Sequence, residues 1–436
     1  MKIIKITIFC ISLLLLQNSM AQRNVIWVHG LYEDEHFWTH YNQIFDNELA
    51  EFTNSSSYKG DFSTSSITNG AYDLMYKMTN YYGYTNSNNY RNIGIGHSMG
   101  GLMIRETDRL RDGTSKKFGG YITVCTPNYG APIANTLLEI NLDDLANDAC
   151  NTLNAGPTSE FAPVDFGIDL SINHLCNYSI DLANINKYIP DSTILENLKE
   201  GSSAINAINN YTNNNNPNIP RISIWANENS PVHWRLLSTT MYPNDPDSKL
   251  VNKVNIIRAS YNAHYLIHRS AAVFYITIFG TSFSILNPLA GYKAAQWKKG
   301  RDWIDNSENQ WNGLIKTTKR IPQTYWVEVW EPCSPIGVGA IDEDYMGRPV
   351  APDPDCGEWV WRQRTRYISV NYPSDGLLPQ YTQELQGIPY NNKYEVDGAN
   401  HLEVGNMTID GNGVDETREV LRDIFSRPPS DFFRTN

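Results

Sequence analysis

The sequence predicts an α/β fold in which a mostly parallel central sheet is flanked by helices. A short apolar strand pattern at 25–28 runs into a His-Gly turn. A glycine-rich turn at 94–101 is followed by the helical pattern of 102–110, and a strand-like run at 394–397 is followed by the helical pattern of 415–425. Strand patterns that alternate with helical patterns are typical of parallel βα units.

The N-terminus has the composition of an export leader. Lys2 and Lys5 precede a charge-free run at 6–16, and Ser19-Met20-Ala21 offers a small-x-small cleavage site. Residues 1–21 are therefore predicted to be a signal peptide, and the mature protein is expected to be secreted or periplasmic.

The strand at 25–28 ends in a His29-Gly30-Leu31 turn. A preorganised backbone N–H that faces a developing oxyanion lowers an acyl-transfer barrier by roughly 3–4 kcal/mol. The N–H of Leu31 is predicted to be one such donor. His29 precedes every other candidate residue along the chain, so we expect it to brace the turn rather than to transfer a proton.

The turn at 94–101 contains a G-x-S-x-G pattern centred on Ser98. A serine in so sharp a turn leaves no room for side chains two positions away, which accounts for Gly96 and Gly100. Ser98 is the predicted nucleophile. The N–H of Met99, at the start of the following helix, is the predicted second oxyanion donor.

Residues 22–436 are predicted to form a single catalytic domain, because the candidate site residues span nearly the whole mature chain. Two long segments are interpreted as insertions, and the first is expected to contain helical stretches such as 192–209. These form either a mobile lid or a fixed wall of the pocket. The core segments are about 22–134, 221–234 and 366–436, and the insertions are about 135–220 and 235–365.

The second insertion contains a charge-free run at 271–290 that is as long as a membrane span. A crossing there would place Ser98 and Asp375, which are candidates for one site, on opposite sides of a bilayer. Polar residues also interrupt the apolar pattern. No transmembrane span is therefore expected. Aromatic strand patterns at 325–330 and 359–361 further predict a β-hairpin.

Two strand patterns end near a carboxylate that could orient a histidine base. The pattern at 367–372 is followed by Asp375, and the pattern at 221–227 is followed by Glu228. Ligand sites of open α/β sheets lie at the carboxyl ends of the strands. Asp375 is the predicted acid, and Glu228 is the alternative, with support of the pocket as its other interpretation.

A serine nucleophile needs a histidine base, and in this class of site the base follows the acid along the chain. His401 fits best, because it lies in the loop that separates the strand pattern at 394–397 from the following helical pattern. Among the other downstream histidines, His233 is left open. The ones in segments that look helical or inserted are His174, His264 and His268.

In this order along the chain, the motifs resemble those of the secreted bacterial true lipases of the α/β-hydrolase superfamily, with a looser likeness to GPI inositol-deacylase-like hydrolases. The resemblance covers about 24–134 and 366–425, and it implies an α/β-hydrolase fold with a Ser98–His401–Asp375 triad. The motifs that carry it are VHGL at 28–31, GHSMGG at 96–101, TVCTPNYGAP at 123–132, SDGL at 374–377 and NHLE at 400–403.

These lipases often hold a calcium ion beside the catalytic histidine loop, with an Asp two positions after the histidine and a second Asp from earlier in the chain. This chain has Glu403 at that position, and glutamate also binds calcium. Glu403 is therefore a calcium candidate, and its partner is open among Asp353, Asp355 and Asp397. No redox or nucleotide cofactor is expected.

The formal net charge is −12, and it becomes −14 without the two lysines of the leader. Nucleic acid is therefore not an expected partner. Five cysteines remain in the mature chain. In an oxidising compartment either all five stay free, or Cys333 with Cys356 and Cys150 with Cys176 form local bridges while Cys125 stays buried.

The sequence thus predicts a secreted serine hydrolase that cleaves carboxylic esters of lipids, a triacylglycerol lipase or carboxylesterase, through an acyl-enzyme on Ser98. A phospholipase or an acyltransferase would use the same triad. A lipid- or glycan-binding protein on a hydrolase shell is the non-catalytic alternative. Lipid or ester substrates and transient contact with lipid surfaces are the expected interactions.

Overall fold

A computed structural model describes the predicted sheet and the helices around it. Several features named in the sequence analysis lie outside the described residues. They are the predicted leader, the charge-free run up to residue 285, the histidines at 174, 233, 264 and 268, and the four cysteines considered for bridges. The described residues are 23–31, 33–38, 41, 54–60, 66–82, 91–111, 117–139, 192–228, 286–332, 357–405, 412–428 and 430–434, with scattered positions from 235 to 269.

The described strands form one parallel sheet and one antiparallel hairpin. The strands are β1 (Asn24–Val28), β2 (Asn54–Ser57), β3 (Asn92–His97), β4 (Gly120–Val124), β5 (Arg221–Asn227), β6 (Thr318–Pro332), β7 (Gly357–Asn371) and β8 (Lys393–Asp397). The sheet has the order β2-β1-β3-β4-β5-β8, and every neighbouring pair in it is parallel. The predicted α/β fold class is confirmed.

The helices connect these strands and cover the sheet. No helix within the described residues is both long and apolar enough to cross a membrane. The helices are α1 (Ile67–Asn80), α2 (Met99–Leu110), α3 (Pro132–Leu137), α4 (Ser192–Leu198), α5 (Ser203–Asn214), α6 (Leu286–Leu314), α7 (Gln380–Gln383) and α8 (Asn412–Phe425).

The region 192–209, which was predicted to be helical, contains α4 and the first part of α5 with a turn between them. Gly201, between α4 and α5, has a φ of +72°, which is outside the helical range. The hydroxyl of Ser202 then accepts a hydrogen bond from the N–H of Ile205 at 3.1 Å and caps α5.

The core lies on both sides of the sheet, as a parallel sheet requires. Alternate β1 residues face opposite sides, so Ile26 packs in one apolar cluster and Trp27 in the other. The first cluster includes side chains of α1, α2, α4 and α5, and the second includes Leu421, Ile424 and Phe425 of α8. The sheet is therefore covered on both faces.

β6 and β7 form the antiparallel hairpin that the aromatic patterns predicted, and they pair along their full length. The expectation that 367–372 is a strand of the central sheet, with the core resuming at 366, is wrong. These residues complete β7, and the compact unit that contains the sheet resumes at Pro373, whereas 318–372 form a second unit. Most β7 side chains are exposed, whereas a central parallel strand is buried on both faces.

Candidate active site

The carboxyl ends of the sheet strands bring the predicted site residues to one edge. The His29-Gly30 turn follows β1, Ser98 follows β3, Cys125 follows β4 and His401 lies in the loop after β8. The carboxyl edge of an open parallel sheet is where such folds bind ligands. The predicted site residues therefore lie at one edge of the sheet.

Ser98 lies on a strained turn between β3 and α2. Its φ and ψ are 49° and −126°, values that are rare for a residue with a side chain. A Cβ at Gly96 would lie 2.5 Å from the Cα of Gly101, and a Cβ at Gly100 would lie 2.5 Å from the carbonyl oxygen of Val28. Both glycines are required by close backbone approach, as the motif predicts.

Ser98, His401 and Asp375 form a continuous chain of hydrogen bonds. The Oγ of Ser98 lies 3.0 Å from Nε2 of His401, and Nδ1 of His401 lies 2.7 Å from Oδ2 of Asp375. The other carboxylate oxygen of Asp375 accepts the N–H groups of Leu377 at 2.9 Å and Leu378 at 2.7 Å. Asp375 is fully buried, whereas Ser98 is partly exposed.

Asp375 reaches the site on a loop that is hydrogen-bonded to β5 and to the His401 loop. The N–H of Glu228 donates to the carbonyl of Ser374 at 2.7 Å, and the N–H of His401 donates to the carbonyl of Asp375 at 2.8 Å. Glu228, the alternative acid, ends β5 as expected, but its carboxylate is bound to Arg235. The imidazole of His401 is therefore oriented by Asp375.

The environment of His401 favours its protonated form. Burial lowers the pKa of this imidazole, but the charge and hydrogen bond of Asp375, with a smaller contribution from Glu33, outweigh burial and raise the pKa above its ordinary value. An imidazole held in this way accepts a proton readily.

Cys125 lies beside these groups in a strained conformation, with a φ of +45°. Its thiol is free and buried, as predicted. The ligand atoms of Cys125, Asp375 and His401 lie within 4.8 Å of one another. Burial, followed by the charge of Asp375, raises the pKa of the thiol well above its ordinary value. The other two members of this cluster, Asp375 and His401, are hydrogen-bonded to each other.

Glu33 and His97 link the Gly30 turn to the His401 loop by hydrogen bonds, and the sequence analysis did not identify them. Oε2 of Glu33 lies 2.8 Å from Nδ1 of His97 and accepts the N–H of Gly30 at 2.5 Å, and Nε2 of His97 lies 2.8 Å from the carbonyl oxygen of His401. Both ring nitrogens of His97 therefore face oxygen atoms of the site. The only signal in the sequence was the position of His97 inside the serine motif.

The two predicted oxyanion donors border Ser98. Met99 is the first residue of α2, where backbone N–H groups have no partner within the helix. A Cβ at Gly30 would lie 2.8 Å from the Cβ of Ser98, so the turn that carries Leu31 passes directly against the serine. The assignment of the N–H groups of Leu31 and Met99 to an oxyanion hole stays a prediction.

Glu403, the calcium candidate, is bound to a guanidinium. Its two carboxylate oxygens lie 2.7 Å from Nη1 and 2.7 Å from Nη2 of Arg235. Among the partners considered for it, Asp397 is an exposed residue of β8, and Asp353 and Asp355 lie outside the described residues. A carboxylate occupied in this way does not fit a calcium ligand.

Comparison with protein-family models finds no match, and neither does comparison with curated proteins. Solved structures show weak similarity. Phospholipase PlaB from Legionella pneumophila is 14% identical over 48% of this chain and 40% of its own, with a TM-score of 0.33. A Bacillus licheniformis lipase is 15% identical over 48% of this chain and 67% of its own, with a TM-score of 0.30.

An extracellular alpha/beta-hydrolase from a Paenibacillus species is 11% identical over 46% of this chain and 76% of its own, with a TM-score of 0.26. Similarity at this level says nothing about a substrate. The architecture of the chain itself is a parallel sheet covered on both faces, with a serine on the sharp turn after β3. The chain has an α/β-hydrolase fold.

Proposed function

We propose that this chain is an exported serine hydrolase that cleaves carboxylic ester bonds of lipids through an acyl-enzyme on Ser98. The observation that carries the proposal is the chain of hydrogen bonds from Ser98 through His401 to Asp375, which begins at a strained and partly exposed serine. Such a constellation is recognised by its geometry and by the roles of its members.

In the acylation step, Nε2 of His401 takes the proton of Ser98 while Oγ attacks the ester carbonyl carbon. The negative charge moves to the carbonyl oxygen, where the N–H groups of Leu31 and Met99 would stabilise it. The intermediate then collapses, the C–O bond to the alcohol breaks, and His401 donates its proton to the leaving oxygen. Asp375 holds the tautomer of His401 that this exchange requires.

In the deacylation step, His401 removes a proton from water as the water oxygen attacks the acyl carbon. A second tetrahedral intermediate collapses, Ser98 leaves as the protonated hydroxyl, and the free acid is released. His401 carries each transferred proton, and water supplies the one that restores the Ser98 hydroxyl.

Lipid esters are the proposed substrates for two reasons. The chain resembles secreted true lipases in the motifs given above, and apolar side chains border the reacting groups. Leu31 follows Gly30, which packs against Ser98, and the N–H of Leu377 is bound to Asp375; the side chains of both leucines are partly buried. Export rests on the leader-like composition of residues 1–21.

The test is hydrolysis of p-nitrophenyl esters from acetate to palmitate, and of a triolein emulsion, by the mature protein and two variants. We expect Ser98→Ala to abolish turnover and covalent labelling by a fluorophosphonate. Asp375→Asn is expected to lower kcat by about 10³- to 10⁴-fold, because the histidine then adopts the wrong tautomer.

Asp108→Asn is the matched control, since Asp108 is also buried and also accepts two backbone N–H groups, from Lys117 and Phe118. It removes a comparable set of interactions without a histidine partner, so kcat should stay near the wild-type value. A folded wild-type protein with no Ser98-dependent turnover or labelling would overturn the proposal. Activity confined to short esters would replace lipase by carboxylesterase.

A further inference from the structure

A buried ionic cluster lies next to the proposed active site. Arg235 contacts both oxygens of Glu403 at 2.7 Å, Oε1 of Glu228 at 2.8 Å and the carbonyl oxygen of Gly398 at 3.0 Å. The side chains of both glutamates are fully buried, and that of Arg235 is 11% exposed. One cation therefore joins the end of β5 to the loop that carries His401.

The oxygen atoms in this cluster are of the kind that also bind divalent cations. Two carboxylates and a carbonyl are typical calcium ligands, but calcium needs six to eight oxygens at about 2.3–2.6 Å. Here the centre of the cluster is filled by the guanidinium, whose planar fork matches the carboxylate of Glu403 with two parallel hydrogen bonds. The positive charge comes from the chain itself.

The cluster is coupled to His401 through the residues on either side of it. Oε2 of Glu403 also accepts the N–H of Asn400 at 3.0 Å. The side-chain oxygen of Asn400 accepts the N–H groups of Leu402 and Glu403, at 3.0 and 3.1 Å. Its amide nitrogen donates to the hydroxyl of Thr239 at 2.6 Å, and that hydroxyl donates to the carbonyl of Arg235 at 2.9 Å.

We propose that Arg235 is a positioning residue that takes the place of a structural metal ion and holds the His401 loop in register with Ser98. The expected effect on turnover rests on the proposed function, whereas the expected effect on the His401 loop does not. If it is correct, the protein keeps both its stability and its activity in a chelator. Loss of the guanidinium should loosen the loop and reduce turnover more than substrate binding.

The experiment compares the wild-type protein with Arg235→Ala and Arg235→Lys, each with EDTA and with millimolar calcium. Wild-type Tm and kcat should be the same in both conditions. Arg235→Ala should lower kcat by about 10- to 100-fold, as expected when a group that orients a site residue is removed, with a smaller change in KM. The kcat of Arg235→Lys should lie between those of the wild-type protein and Arg235→Ala, because one ammonium group cannot make the bidentate contact.

Arg109→Ala is the control for simple loss of an ion pair. Arg109 also binds a buried glutamate, Glu106, through two nitrogens, at 2.6 and 2.7 Å, on helix α2. This variant should lower Tm while kcat stays within about twofold, because the Glu106 carboxylate loses its guanidinium partner and keeps only the hydroxyl of Thr68, without any change at the His401 loop.

Hydrogen–deuterium exchange of 398–405 separates this inference from the proposed function. Faster exchange there in Arg235→Ala, but not in Arg109→Ala, is expected whether or not the protein hydrolyses esters. The inference is overturned if EDTA lowers wild-type Tm and calcium restores it. It is equally overturned if folded Arg235→Ala or Arg235→Lys has wild-type kcat and wild-type exchange.

Discussion

At the scale of single residues, two buried carboxylates near the end of β5 have different roles because their hydrogen-bond partners differ. Asp375 accepts two backbone N–H groups on one oxygen and faces the imidazole of His401 with the other. Glu228 faces Arg235, and burial raises its pKa well above the ordinary value while Arg235 opposes the shift. Asp375 is therefore placed to stabilise a protonated histidine, whereas Glu228 is hydrogen-bonded to a permanent cation.

The pH dependence of the reaction should follow from the raised pKa of His401. The neutral imidazole is the base, so the rate of fluorophosphonate labelling of Ser98 should fall as pH drops through a pKa above the ordinary 6.5. In Asp375→Asn the carboxylate charge is lost while burial remains, so the inflection should move to lower pH.

The labelling rate measured from pH 5 to 9 for both proteins checks this prediction, with Asp108→Asn as the control that should keep the wild-type inflection. An unchanged inflection in Asp375→Asn would mean that Asp375 does not set the protonation of His401.

At the scale of elements, the serine turn depends on how closely α2 approaches β1 and β3. The start of α2 contacts the backbone at the end of β1 through Gly100, and its second turn packs over β3, where Ile104 borders Gly94. A strained φ at Ser98 persists only because these contacts hold both ends of the turn. The geometry of the nucleophile is thus a packing property of three elements.

Gly100→Ala should disrupt this arrangement. The new Cβ would lie 2.5 Å from the backbone oxygens of Val28 and His29, which cannot move without displacing β1. We expect a loss of roughly 1–3 kcal/mol in the free energy of unfolding, typical of overpacking, together with slower labelling of Ser98. Urea denaturation and the labelling rate measure the two effects.

Gly313→Ala in α6 is the control, because a Cβ there meets no atom within 4 Å. It should leave labelling unchanged and alter the free energy of unfolding by about 0–1 kcal/mol in the stabilising direction. Equal stability of Gly100→Ala and the wild type would show that the turn tolerates a larger separation of α2 from β1.

At the scale of the whole molecule, the chain consists of two compact units of different character. The unit with the sheet, residues 1–317 and 373–436, has an apolar core on both sides of the sheet. The unit 318–372 contains a two-stranded ribbon whose side chains are mostly exposed, among them Trp326, Trp359 and Trp361. A ribbon of two strands buries too little apolar surface to stabilise a fold strongly.

Excision of 318–372 should therefore leave the sheet unit folded. Thr318 and Asn371 are paired across the base of the hairpin, so a short glycine linker from Thr317 to Pro373 can close the gap. We expect the excised protein to unfold cooperatively, with a Tm within a few degrees of the wild-type value, and to label at Ser98. A protein that fails to fold or to label would contradict this prediction.

The local pattern of residues determined much of this protein. Strand–turn–helix periodicity predicted the parallel sheet and the serine turn, because both depend on neighbours a few positions apart. Chain order limited the candidate bases to the histidines downstream of Ser98, and positions after strand patterns favoured Asp375 and His401. The structure brings His401 within hydrogen-bond distance of both Asp375 and Ser98. These inferences needed residue types and spacing alone.

Only the tertiary structure decided which distant groups meet. The strand before Asp375 belongs to a hairpin, because the partner of a strand depends on the whole sheet and not on its own pattern. Arg235 lies 168 positions from Glu403 along the chain, and Glu33 lies 64 positions from His97. No local period encodes such pairs, since chain folding sets their distance and burial sets their strength.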